Sequence, residues 1–203
     1  MLRLTKMFLM TALLGGMMAF AASSANADPV TFSTSGTFTC GGCTGSGTNS
    51  VTFSGGMGNA LMITFTGLGS TSLNTPTGSS FGNFQTFVAG AGASASGTFT
   101  LTITQTVPSA GSGSFSATFN GTFSASNSGS GVVTFSVTSV SIGTSTYAIV
   151  NNPLNLVPPA SNNGITTVQG QISSVPEPAS MILLGTGLLG AAGVARNRFR
   201  LRK

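Results

Sequence analysis

The sequence predicts an all-β body, an antiparallel β-sandwich or jelly-roll-like domain, flanked by an N-terminal signal helix and a single C-terminal hydrophobic helix. Three observations predict it. Apolar residues alternate with Thr and Ser over long stretches, Gly/Ser/Asn/Pro clusters interrupt those stretches at short intervals, and the segment between the two ends shows no helical periodicity. Alternation with period two puts apolar side chains on one face of a strand and hydroxyls on the other. Thr suits the outer face because its branched Cβ fits a pleated surface while its hydroxyl stays wet without charge.

The first 27 residues carry the three parts of a secretory signal. Arg3 and Lys6 make a positive start, Met7 to Ala22 is an apolar run with no polar face, and Ala25-Asn26-Ala27 is an A-x-A cleavage site. Asp28 is then the first mature residue, and signal peptidase the first processing partner. The body, 28–174, follows. Val30 to Phe38, Leu61 to Thr66, Gly97 to Val107, Val132 to Ile142, Thr146 to Val150 and Ile165 to Ile172 read as strands. The clearest is Gly97 to Val107, where Phe99, Leu101, Ile103 and Val107 alternate with Thr. Turn-type clusters at 41–50, 54–60, 69–80, 89–97, 108–114, 126–131 and 151–164 separate roughly nine to eleven strands.

Two local signals leave choices open. Asn120-Gly121 is the preferred two-residue hairpin turn, yet that turn would put Phe123 on the face away from Phe115 and Phe119. A hairpin is expected there, with its register unsettled. Gly-Thr-Phe-Thr/Ser recurs at 36–39, 97–100 and 121–124 without a fixed period, which fits shared strand chemistry, with a β-solenoid as the alternative.

Charge excludes whole classes of function. The chain has a formal charge of +5, from seven Lys and Arg against two acids, and no His. Such a balance ordinarily points to nucleic acid or an anionic membrane. Position removes that reading: the cations sit at Arg3, Lys6, Arg196, Arg198, Arg200, Arg202 and Lys203, and the acids are Asp28 and Glu177. From Pro29 to Pro176 there is not one Lys, Arg, Asp, Glu or His, so no nucleic-acid partner is expected. Asp28 to Val175 is 148 residues, of which 26 are Ser, 26 Thr and 23 Gly. Disorder would go with high net charge, which is missing, and twelve Phe supply a thin core.

The same absence removes catalytic chemistry. Without His, Lys or Arg the usual general bases and oxyanion clamps are missing, and glycoside hydrolysis needs two carboxylates where the body has only Asp28. Ser and Thr abound, but an activated nucleophile needs a neighbouring base. A zinc site fails on two thiolates alone, so no metal or cofactor is expected, and the chain reads as a non-enzyme. Cys40-Gly41-Gly42-Cys43 is read as one disulfide, since the protein is exported and Gly-Gly permits the tight turn. Redox exchange is the alternative, with no cation nearby to lower a thiol pKa. Tyr147, the sole tyrosine, reads as core or as a glycan-stacking ring, and Asn120-Gly121-Thr122 matches a glycosylation sequon.

The last 29 residues mirror the first. Val175-Pro176-Glu177-Pro178-Ala179-Ser180 is short and Pro-stiffened, Ala179 to Ala195 is uncharged, and Arg196, Arg198, Arg200, Arg202 and Lys203 close the tail. Seventeen helical residues span about 25 Å, somewhat short of an apolar core of about 30 Å, and snorkelling Arg side chains make up the difference. The positive-inside rule keeps this tail cytoplasmic and the body outside. An ordinary membrane anchor explains the helix and arginines but not the Pro-Glu-Pro beside them.

This order of motif, apolar helix and basic cluster resembles the PEP-CTERM sorting signal of Gram-negative bacteria, over residues 175–203. The resemblance implies recognition of Pro176, Glu177 and Pro178 by an exosortase, a membrane-embedded cysteine transpeptidase or protease. It implies a stop signal at Arg196, Arg198 and Arg200, extended here by Arg202 and Lys203. It also implies transient inner-membrane anchoring, then residence at the cell surface or outside the cell in an exopolysaccharide-producing, biofilm- or floc-forming species. The expectation is a structural surface or matrix protein, with exopolysaccharide or a second copy as partner, and a lectin-like or adhesive module as the alternative.

Overall fold

Among the residues that the computed structural model describes, 29–124, 129–174 and positions 185, 187, 188 and 190, the alternating pattern becomes twelve strands. These are β1 (Val30–Thr39), β2 (Ser50–Gly56), β3 (Asn59–Thr66), β4 (Thr71–Leu73), β5 (Thr77–Ala89) and β6 (Gly92–Val107). Then come β7 (Gly111–Ser124), β8 (Gly129–Phe135), β9 (Ser139–Ile142), β10 (Ser145–Ile149), β11 (Leu154–Leu156) and β12 (Ile165–Ser174). They form two six-stranded antiparallel sheets, in the order β11-β8-β7-β6-β1-β4 and β2-β3-β5-β12-β10-β9. The four tail positions are helical in backbone. No helix among the described residues is long and apolar enough to cross a membrane. The signal helix and most of the C-terminal helix expected from the sequence lie outside the described residues.

The sheets pack through their inward faces. Phe99 of β6 lies with its ring 4.9 Å from Phe38 on its own sheet, and 4.9 Å and 4.7 Å from Phe65 and Phe84 on the other. Phe53 meets Phe119, and Phe32 meets both Phe81 and Tyr147, across the same interface. Edge-on and tilted pairs of this kind add to the burial of apolar area. Val140 and Ile142 of β9 overlie β7 where Gly113 and Gly111 leave room, so this end of the sandwich curls toward a half-barrel. Adjacent asparagines join the layers: the Asn151 amide pairs with Thr167 O and Gln169 N–H opposite the bulge in β5, and the Asn152 amide with both backbone groups of Phe135.

Twelve strands exceed the expected nine to eleven, because β6 from Gly92, β7 from Gly111 and all of β11 reach into clusters read as turns. Three further expectations need correction. Asn120-Gly121 is not a turn: β7 runs straight through it, in register with β6 from Gly111 to Ser124. Phe115, Ala117, Phe119 and Phe123 are all buried on one face, and burying that face outweighs the local turn preference. Val132 to Ile142 is not one strand but two, β8 in the first sheet and β9 in the second. The phase of the alternation breaks there, with Val133 and Phe135 inward, Val137 exposed and Ile142 inward again. The solenoid alternative fails because, among the described residues, all paired strands run antiparallel in two facing sheets.

The recurring Gly-Thr-Phe has a packing meaning instead. All three copies lie in the first sheet, on β1, β6 and β7, with Gly and Phe on the inward face. A Cβ on Gly36 would sit 2.5 Å from the rings of Phe65 and Phe99, and one on Gly97 would sit 2.9 Å from the ring of Phe119. The glycines are seats for neighbouring phenylalanines.

Candidate functional site

The end of the sandwich from which the chain leaves toward the sorting segment is built from both ends of the body. Val30 opens β1 opposite Leu73, and Thr31 stands opposite Val107. Ser174 closes β12 opposite Ser145, and its hydroxyl bonds with that of Thr75, two residues beyond Leu73. The 73–75 segment therefore ties the first strand to the last. Both termini of the body emerge at one pole, beside the β6–β7 and β9–β10 turns.

A buried polar node lies just inside that pole. The Tyr147 hydroxyl donates to Gln105 Oε1 at 2.7 Å, and the Gln105 amide donates to Ser109 O at 2.8 Å and to Ile142 O at 3.3 Å. Both side chains are buried, and burial pushes the Tyr147 phenol up from its ordinary range. Tyr147 is thus core, not a sugar-stacking ring. Ser145, also fully buried on β10, leaves its hydroxyl without a hydrogen-bond partner in the structure.

The opposite pole carries the cysteines. Cys40 and Cys43 are joined by a disulfide with Cα atoms 5.9 Å apart, and both pack partly buried against the core. The loop continues down the free side of β2, where Thr44 and Thr52 exchange two backbone hydrogen bonds of 2.9 Å.

The two outer faces differ in kind. On β1, β6 and β7 the outward positions are Ser or Thr except Asn120 and the two ends of β6, Gly92 and the exposed Val107. The register shift opposite Thr31 turns Val107 away from the apolar face expected for it. Neighbouring strands align these hydroxyls in rows such as Ser35, Thr102 and Ser114, with Thr102 and Ser114 in contact at 3.3 Å. The second sheet turns out amides and apolar groups. Phe87, 56% exposed, pairs with Met62, and Gln85, Asn83, Gln169 and Gln171 lie on the same side. An open groove of about 540 Å³ runs there, lined by Ser80, Val150, Thr167, Gln169, Gln171 and neighbouring glycines. Phe87 is the one aromatic ring among the described residues that is not in the core. Sequence reading missed it because its neighbours Phe81 and Phe84 are buried, and the bulge at Gly82 changes the phase between them.

The sorting residues Pro176, Glu177 and Pro178, the basic residues Arg196, Arg198, Arg200, Arg202 and Lys203, and the cleavage residues Ala25, Ala27 and Asp28 lie outside the described residues. Of the predicted site residues, the structure brings together Cys40 and Cys43. No group of three or more His, Cys, Asp or Glu comes together among the described residues.

Residues 174–198 match the family model described as the PEP-CTERM protein-sorting motif. No curated protein matches the chain. No solved structure matches it either.

Proposed function

From the PEP-CTERM sorting motif as premise, which marks an exported, exosortase-targeted protein, we propose that this chain is a non-enzymatic structural component of the cell surface or extracellular matrix. One observation carries the reading: the motif follows directly on a sandwich with no Lys, Arg, Asp, Glu or His from 29 to 174, whose first sheet presents little but hydroxyls. Such a surface exchanges hydrogen bonds with water and polyhydroxylated polymer and supplies no acid, base or charge clamp for turnover. The shared pole of Val30 and Ser174 supports the topology. With the body outside, the signal segment and the sorting segment both meet it at the outer face of the inner membrane, so a body held by both ends needs them on one side.

Exosortase would cut near Pro176-Glu177-Pro178, after which anchoring in the inner membrane ends and the body is released to the surface or matrix. The mature protein then loses every cation in the sequence and becomes neutral or slightly acidic. Mass spectrometry of the protein from its host, fraction by fraction, tests this. The expected product starts at Asp28, ends near the Pro-Glu-Pro motif, keeps the Cys40–Cys43 bridge and travels with the extracellular matrix. A chain that retains Arg196 to Lys203 in every fraction would defeat the proposal.

A second reading, a glycan-binding adhesive module, is favoured by the second sheet, where exposed Phe87 stands on a face rich in amides. Stacking on one ring with amide hydrogen bonds alongside is a workable sugar contact. Retention on the host's exopolysaccharide that disappears in Phe87→Ala would select it.

A further inference from the structure

A sheet edge is a template for another strand, and proteins usually guard it with Lys, Pro or inward charge. This body has no charge to spend. Three of its four edges are guarded by brevity: β4 and β11 have three residues each and β9 four. The fourth, β2, has seven residues and is covered instead.

The cover is the disulfide loop. Thr44 N–H donates to Thr52 O and Thr52 N–H to Thr44 O, both at 2.9 Å, at the middle of the edge. At Ser50 the Thr48 hydroxyl accepts from the backbone N–H at 3.2 Å and lies 2.7 Å from the carbonyl oxygen. Thr48 is itself fixed, since its carbonyl accepts from Phe38 N–H at 2.8 Å. Thr44, by contrast, follows directly on Cys43, and the bond to Cys40 turns the chain back toward the edge. The reciprocal Thr44–Thr52 pair is an antiparallel hydrogen-bonded pair in miniature. A two-fold pairing of β2 with β2 would set Thr52 against Thr52 in that same arrangement, so Thr44 occupies the place of a partner's identical residue type. Nothing charged on either body would oppose the approach.

We propose that the loop closed by Cys40 and Cys43 is a removable guard on β2, and that opening it lets β2 pair with β2 of a second copy of this chain. The opening step is a reduction by a dithiol: two electrons and two protons pass to the Cys40 and Cys43 sulfurs, the S–S bond breaks, two thiols form, and the dithiol leaves as its own disulfide. Reoxidation in the monomer restores the guard. The pairing rests on the structural role proposed above and names its partner.

Sedimentation of the exported protein purified from its host is the test, oxidised and then with dithiothreitol. The oxidised protein should sediment as a monomer and the reduced protein at twice that mass. Thr44→Pro removes the guard's N–H without touching the sulfurs and should double the mass in the oxidised state. Cys40→Ser with Cys43→Ser should do so without reductant, with the sheet signal in circular dichroism unchanged. Adding Thr52→Pro, which takes the outward N–H from the edge, should return each to monomer, and an edge strand accepts that proline. Monomer mass in the reduced protein and both unguarded variants overturns the proposal. So does doubling that survives Thr52→Pro, because the contact then lies elsewhere. A protein that fractionates with the matrix yet stays monomeric when reduced overturns the pairing and leaves the structural role standing; one missing from surface and matrix fails the role itself, whatever its mass.

Discussion

The two sheets share a core and follow different rules on the outside. The first is long-stranded and, apart from one register shift where β1 meets the end of β6, regular, with β6 and β7 in unbroken register over fourteen positions and hydroxyls on nearly every outward site of β1, β6 and β7. The second carries register shifts in β2–β3 and β5–β12, an exposed Phe87–Met62 pair and an amide-rich groove. Regularity suits a repeating, unselective surface, and irregularity makes distinct local shapes. The first sheet therefore suits the proposed matrix role, and any selective contact belongs to the second.

The comparison breaks first at the shared core. Phe99→Ala removes the ring that touches Phe38, Phe65 and Phe84, and should cost about 3–5 kcal/mol, read as a shifted urea midpoint with an unchanged slope. Both sheets should melt together. Separate transitions would mean that the sheets are independent units.

A smaller effect is expected at the polar node that links β6 of the first sheet to β10 of the second. Tyr147→Phe leaves the buried Gln105 Oε1 without its donor and should cost about 1–3 kcal/mol. It should also remove a pH dependence. Burial raises the phenol, so the folded state keeps its proton where the unfolded chain gives it up. That contribution is fully present below about pH 10 and is lost as pH rises through the higher folded value. Because the body holds no other Lys, Arg, Asp, Glu, His or Tyr between 29 and 174, thermal melts should be nearly flat from about pH 5 to 9. They should fall above it in the wild type and not in the variant.

The smallest effects sharpen the contrast between the outer faces. Thr100→Val on the first and Phe87→Ala on the second should each change stability by no more than about 0.5 kcal/mol. Their consequences for binding should differ. Polysaccharide retention should survive Thr100→Val, one hydroxyl among many, and any selective sugar contact should be lost with Phe87→Ala. Equal loss in both would dissolve the distinction.

Sequence legibility follows the same division. Gly97 to Val107 reads as a strand because Phe99, Leu101 and Ile103 alternate with Thr, and β6 contains that whole segment. Its N-terminal stretch hides among small residues: Ala93 and Ala95 face inward, but they look like loop in a Gly/Ser-rich context. The same applies to Gly111 and Gly113 at the start of β7, whose inward face is completed by β9 side chains from far along the chain. Asn120-Gly121 misleads because a turn propensity is local, while the face shared by Phe119 and Phe123 is set by the opposing sheet. The disulfide was legible from spacing and compartment. Its position on the β2 edge was not, because an edge exists only once the sheet order is known.

The place of β12 sets a timetable. It is the last strand, and it lies inside the second sheet between β5 and β10. As an exported chain emerges from its N-terminal end, every strand of the first sheet is outside by residue 156, while the second stays in two pieces, β2-β3-β5 and β10-β9. Only residues 165–174 join them, and the partner strand β5 waits about eighty residues for its match. The apolar stretch from Ala179 begins five residues after β12 ends. On the inner-membrane anchoring proposed above, a pause of that stretch in the membrane would coincide with closure of the second sheet, and exosortase would meet a body that has just finished folding.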